Sequence, residues 1–141
     1  MIVNIKPDII QSKIRYINKI KLVHPVFNNI AQNLAEIDII KYITISKDYL
    51  KASSEITLGR NKIPITKIDH PTAVGVWLIL ELDYKVIQFF EMNSTVKGYG
   101  SKMVDAVISA LQEDWSAVVV MDWSGGFWEK MREKHRRLVI L

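Results

Sequence analysis

The chain has 141 residues, 49% apolar and 24% charged, with no cysteine and a formal charge of +4. The length suits one domain and the balance provides a core, while the missing thiols exclude disulfides, thiolate zinc sites and cysteine nucleophiles. The charge is uneven: residues 1–70 hold 11 Lys/Arg against 6 Asp/Glu, a net +5, and residues 71–141 hold 8 against 9, a net −1.

Taken in order, the first residues, MIVNIKPD, lack the apolar core of a secretory signal. Pro7-Asp8 can open a helix. Ile10, Ile14 and Ile17 share one face, and Lys13, Lys19 and Lys21 lie off it. That pattern predicts an amphipathic helix over 7–21, packed on a sheet rather than lying on a membrane surface. His24-Pro25 breaks it, because a residue before proline is pushed out of the helical region. A second helix follows, with Val26, Ile30, Leu34 and Ile37 on one side. The β-branched run 39–45 reads as a strand, Ser46-Lys47-Asp48 as a turn, and 48–58 is ambiguous. Gly59 to Lys62 is a turn, and Pro64 makes 63–68 an edge strand. Asp69-His70-Pro71 is another break.

From Gly75 the signals sharpen. A strand from Val76 to Leu82 turns through Asp83-Tyr84 into an antiparallel partner, Val86 to Met92. A glycine turn, Lys97 to Lys102, leads into a helix from about Ser101 to Gln112. Met103, Val107 and Ala110 recur in it at helical spacing, as do Val104, Ile108 and Leu111. Trp115 to Met121 is a strand parallel to the one before the helix. After Ser124-Gly125-Gly126 come a helix from Phe127 to Lys134 and a strand from Leu138 to Leu141. The longest apolar run, Val76 to Leu80, is far below the ~18 residues that span a bilayer. A soluble cytoplasmic protein with no membrane partner is the expectation, folded as a single domain over 1–141.

The glycine turn has a physical job available to it. The first amides of a helix have no intrahelical partner, and the helix dipole places partial positive charge there. Glycines let a phosphate approach without meeting a Cβ, and Lys97 and Lys102 add charge on either side. Together these make a pyrophosphate site. The plainer alternative is a strand-to-helix turn with Gly98 and Gly100 at positive φ.

The surroundings favour the first reading. Thr95-Val96-Lys97-Gly98-Tyr99-Gly100 resembles motif A of the GCN5-related N-acetyltransferases, Gln/Arg-x-x-Gly-x-Gly/Ala. Phe127-Trp128-Glu129-Lys130-Met131 looks like the family's FYEKxGF motif B. The motifs come in the right order, separated by a helix and one strand, and the resemblance covers about residues 75–141. It implies the GNAT-type α/β fold: a mixed sheet flanked by helices, whose two central parallel strands splay so that the pantetheine of acetyl-CoA enters the gap. It also implies that Lys97, Gly98, Tyr99, Gly100, Ser101 and Lys102 hold the coenzyme A pyrophosphate. Backbone groups of Phe90 and Met92 would pair with the pantetheine amides as an added strand would, and Trp128 would pack along the cofactor.

Acetyl transfer to an amine needs a neutral amine, a polarised thioester carbonyl and a proton for the leaving thiolate. Where the family has a tyrosine in motif B this chain has Trp128, whose indole N–H is no useful acid. Thr95 replaces the usual Gln/Arg, and no Gly-Phe follows Met131. In histone-acetyltransferase members a catalytic Glu falls at about position 84, where this chain has Tyr84. Tyr84 is therefore a catalytic candidate, and Glu91 and Asp122 are candidate bases beside the implied cleft. The alternatives are that Glu91 faces solvent and Asp122 caps a turn.

The reading is an N-acetyltransferase moving an acetyl group from acetyl-CoA to a primary amine. By resemblance the N-terminal elements bound the acceptor cleft, and they carry the +5 excess. That favours a small amine bearing a carboxylate or phosphate, or an acidic protein segment, over a cationic tail. The rival is a degenerate member that binds coenzyme A, or nothing, and serves as an interaction module. Lys130, Arg132, Lys134, Arg136 and Arg137 read better as a helix C-terminus interleaved with Glu129 and Glu133 than as a nucleic-acid patch. His24, His70 and His135 have no metal-site spacing. Oligomeric state stays open, a homodimer included.

Overall fold

The computed structural model describes residues 13–16, 24–54, 74–94, 96–120, 122 and 124–141. Among them, seven strands form one mixed sheet in sequence order. They are β1 (Ile14–Tyr16), β2 (Tyr42–Ile45), β3 (Tyr49–Ser53), β4 (Val74–Glu81), β5 (Val86–Ser94), β6 (Ser116–Val119) and β7 (Leu138–Ile140). β1 runs parallel to β2, the middle pairs from β2 to β5 are antiparallel, and β5, β6 and β7 are parallel. The helices that lie wholly within the described residues are α1 (Pro25–Ala35), α2 (Tyr99–Ser109) and α3 (Phe127–Lys134). The chain is thus an α/β protein with a mixed open sheet. No helix among the described residues is long and apolar enough to cross a membrane.

Each element follows from local chemistry. Pro25 occupies the first turn of α1, and His24 caps it by accepting the Val26 N–H at Nδ1, 3.1 Å away. Val26, Phe27, Ile30, Ala31 and Leu34 then bury one stripe. The turn between β4 and β5 is a short 3₁₀ segment, Leu82–Tyr84, closed by Lys85 in the left-handed region at φ 53°. α2 begins two residues before the predicted Ser101, because Gly98 at φ 94° ends the incoming chain and starts the helix. α3 matches its predicted span.

One expectation is overturned. The predicted helix over 7–21 is interrupted by β1, where Ile14 pairs with Ile43 and Tyr16 with Ile45. Ile14 joins the sheet's apolar face, and this long-range pairing outweighs the helical spacing of Ile10, Ile14 and Ile17. Residues 7–12 and 17–21 lie outside the described residues. So do the predicted edge strand over 63–68, its flanking turns, and most of the lysines behind the +5 excess. The ambiguous run 48–58 contains β3.

The register divides the sheet into two faces. Ile45, Leu50, Leu78 and Phe89 lie in one row, and Ile43, Ala52 and Val76 in the next. All are buried, and with the apolar stripes of α1, α2 and α3 they form one core. α1 packs on β2 and β3, α2 on α1, β4 and β5, and α3 on β7. The opposite face carries Thr44, Lys51, Trp77 and Glu91 in a single row. Between Trp77 and Leu78 the register shifts: Trp77 pairs with Glu91 and Leu78 with Phe89, so Phe90 is the extra residue of a β-bulge. The bulge resets the alternation. Phe89 and Met92, three apart, both reach the helix-covered face.

Candidate functional site

β5 is paired along its whole length with β4, but with β6 only at Val86, Ile87 and Gln88. β6 ends at Val119, while β5 runs on to Ser94. From Phe89 onward the β6-side edge of β5 therefore has no strand partner among the described residues. The bulge at Phe90 lies on this open run. At its end the chain turns through Gly98 into α2, whose N-terminus has no side-chain cap and no acidic residue in its first turn. An open strand edge thus leads to a helix N-terminus that carries unspent backbone donors.

The two glycines of the turn have different reasons to be glycine. Gly98 is in the left-handed region, and a Cβ there would meet nothing within 4 Å. Gly100 is buried, and a Cβ on it would lie 3.1 Å from Cε1 and 3.2 Å from Cζ of Phe127. Its missing side chain is the space that the Phe127 ring, at the start of α3, fills beside α2. Gly100→Ala therefore lowers unfolding free energy by about 1–3 kcal/mol, read by chemical denaturation without any ligand. A neutral result would show that the Phe127 ring moves aside at no cost.

The remaining predicted residues divide into those the structure gathers and those it separates. Lys97 is exposed beside Gly98, and Ser101 lies in the first turn of α2. Lys102 turns outward, its Nζ 4.7 Å from the centroid of the Tyr99 ring. The Tyr99 hydroxyl donates to Asp38 Oδ1 at 2.9 Å, which raises the phenol pKa and lowers that of Asp38. Tyr99 is held as a neutral phenol that fastens α2 to the segment after α1. Trp128 is buried, its ring 4.9 Å from Phe89 and 5.1 Å from Phe127. It stands on the helix-covered face, beside the point where β5 and β6 part.

Asp122 follows β6. Its Oδ1 accepts from the side chain and the backbone N–H of Ser124, and these bonds lower its pKa despite a smaller opposing effect of desolvation. Ser124 Oγ in turn accepts the Trp128 N–H at 3.3 Å. Asp122 is committed to the turn that starts α3, which makes it a weak base. Tyr84 is 78% exposed, on the turn before β5. The glycine turn follows the other end of that strand, a strand length of about 25 Å away, so the two share no cleft. Glu91 is half-buried on the bulge, directly across from Trp77.

Two groupings had no signal in the linear sequence. On the sheet face opposite α1, α2 and α3, Lys51 Nζ sits 3.9 Å from the centroid of the Trp77 ring and 5.2 Å from that of Tyr49. Burial lowers the Lys51 pKa, and the charge of Glu91 partly restores it. On the helix-covered side, an open groove of about 700 Å³ runs between the end of α1, the outer face of α2 and the end of α3. In it Asp105 bridges Lys134 Nζ at 2.9 Å and His135 Nε2 at 2.7 Å. Burial pushes the Asp105 pKa up, the bonds from Lys134 and His135 push it down, and the net is below the ordinary value. Arg137 Nη1 donates to the carbonyls of Leu111 and Gln112, just past the C-terminus of α2. Lys134 and Arg137 of the basic cluster are thus spent on holding α2.

No family model, no curated protein and no solved structure matches this chain.

Proposed function

We propose that the chain is a coenzyme A-dependent N-acyltransferase of the GCN5-related type, with acetyl-CoA as donor and a primary amine as acceptor. The observation that carries the reading is the parting of β5 and β6 after Gln88, with the open edge of β5 leading into the Gly98 turn and the uncapped start of α2. An extended chain with amides at one end and a pyrophosphate at the other needs those two features in that order. These residues fit coenzyme A. Backbone groups of Phe90 and Met92 would hold the pantetheine, and the amides at Gly98, Gly100 and Ser101, with Lys97, the pyrophosphate.

Acetyl-CoA, when bound, supplies an activated thioester carbonyl. The chain's own work is to orient it, exclude water and move one proton. Glu91, on the bulge beside that open edge, would take the proton that the acceptor amine gives up as it gains the acetyl group, and the donor's sulfur would depart as a thiolate. An alkyl thiolate is a good enough leaving group to depart without a dedicated acid, which accommodates a tryptophan in place of the family tyrosine.

One observation favours a second reading, a member that binds coenzyme A without transfer. Of the three catalytic candidates, Asp122 is committed to a turn and Tyr84 is remote. Calorimetry with acetyl-CoA, followed by thiol release with an amine panel, separates the two. Gly98→Ala weakens acetyl-CoA binding about 10-fold or more, because a side chain disfavours the left-handed φ that aims the α2 amides. The apoprotein stays folded, since the added Cβ meets no neighbour. Unchanged affinity in that variant would remove the glycine turn from the cofactor site.

A further inference from the structure

We propose that the sheet face around Trp77 recognises the acceptor as a zwitterion: a small compound with a primary amine and a carboxylate on an apolar body, such as a free amino acid. This deepens the acyltransferase reading, and it rests on that reading only for what becomes of the bound amine.

The register supplies the first argument. Thr44, Lys51, Trp77 and Glu91 face one another across four adjacent strands. Strands lie about 4.8 Å apart, so the Cα atoms of Lys51 and Glu91 stand about 10 Å apart on either side of Trp77, and the Lys51 ammonium reaches over the indole. A cation and an anion that flank one ring, with no salt bridge between them, complement a ligand that places its carboxylate toward Lys51 and its ammonium toward Glu91. The amine is thereby delivered to the carboxylate that would deprotonate it.

Unspent hydrogen-bonding capacity supplies the second. Among the described residues, the buried side-chain polar atoms without a hydrogen-bond partner are Thr44 Oγ1 and Trp77 Nε1, and both belong to this row. Buried polar atoms without a partner are costly, and a bound water or ligand that supplies the partner relieves the cost. Lys51 points the same way. Burial has lowered the pKa of its ammonium, so an anion beside it regains stabilisation that solvent no longer provides.

Aromatic walls supply the third. Trp77 meets Phe90 edge-on at 4.8 Å and Tyr49 at 6.4 Å, and Phe90 remains 47% exposed. Charged groups bracketing an apolar floor suit an amino acid with an apolar side chain better than a phosphate ester or a polyamine. A polyamine offers nothing to Lys51, and a phosphate ester without an amine offers nothing to Glu91.

The test is calorimetric titration of the full chain, without coenzyme A, with the twenty protein amino acids and then with the amide and the N-acetyl derivative of whichever binds. At least one apolar amino acid binds, and each derivative binds about 10-fold or more weakly, since each lacks one of the two charges. Lys51→Met produces the same loss for the free amino acid, whereas Lys51→Arg keeps most of the affinity. Acetyl-CoA binding is equal in both variants, which also reports that each is folded. The proposal is overturned if no amino acid binds, if the amide binds as well as the acid, or if Lys51→Met leaves the affinity unchanged. If an amino acid binds and acetyl-CoA does not, the acyltransferase reading fails and this site stands. If acetyl-CoA binds and the whole panel does not, this site alone fails.

Discussion

Glu91→Gln lowers the turnover number for acetyl transfer about 10²- to 10⁴-fold, the usual worth of a positioned general base, and leaves acetyl-CoA affinity and thermal stability unchanged. The amide keeps the shape and hydrogen-bonding reach of the carboxylate but cannot take a proton. Glu91 sits at the bulge, half-buried beside Phe90, with the Lys51 ammonium as its charged neighbour across Trp77. Asp122 is a poor substitute, because its carboxylate is held in the anionic form by Ser124. The decisive comparison is single-turnover acetyl transfer in the wild type, in Glu91→Gln and in Asp122→Asn. Full activity in Glu91→Gln would mean that the amine enters already neutral, and would remove Glu91 from the proton transfer.

Trp128→Ala removes about 3–5 kcal/mol of stability, the largest loss expected from a single change near the site. The indole is 7% exposed and fills the angle between Phe89 on β5 and Phe127 at the start of α3. Truncation leaves a cavity under the same ring that occupies the missing Cβ position of Gly100. For a chain of this length the melting temperature falls by about 10 °C. Trp128→Phe keeps an aromatic ring there and loses far less. The pair therefore decides what the indole does for a cofactor. If only the Ala variant binds acetyl-CoA weakly, packing is the cause. If the Phe variant is folded and also binds weakly, the indole itself touches the cofactor. An Ala variant as stable as the wild type would place the ring outside the core.

Much of the fold was legible because the second half of the chain obeys simple periodicities. Phe127 to Lys134 is a helix, the run around Val86 to Met92 is a strand, and the strand after α2 runs parallel to it. β1 was not legible, since Ile14 serves a helical stripe and a strand equally well and only its pairing with Ile43 decides. The bulge at Phe90 is illegible for a related reason: strict alternation sends Met92 to the wrong face, and one extra residue leaves no mark in a run of apolar side chains. In the candidate site, Glu91 and the glycine turn could be read locally. Lys51 and Trp77 could not, because they are 26 positions apart and meet only through the register of β3 on β4. Gly100 shows what a motif leaves out: its absent side chain makes room for a ring 27 positions away.

The stop of the β5–β6 ladder after Gln88 gives an interior strand the chemistry of an edge. From Phe89 to Met92 the side of β5 without a strand partner among the described residues presents backbone donors and acceptors to any extended segment, another molecule of the same chain included. Open edges of this kind seed aggregation, and a bulge is one device by which sheets blunt them. Phe90 bulges on this very run. The irregularity that sets Glu91 in place thus also protects the seam, so straightening it by deleting Phe90 would trade a reactive cleft for a sticky one.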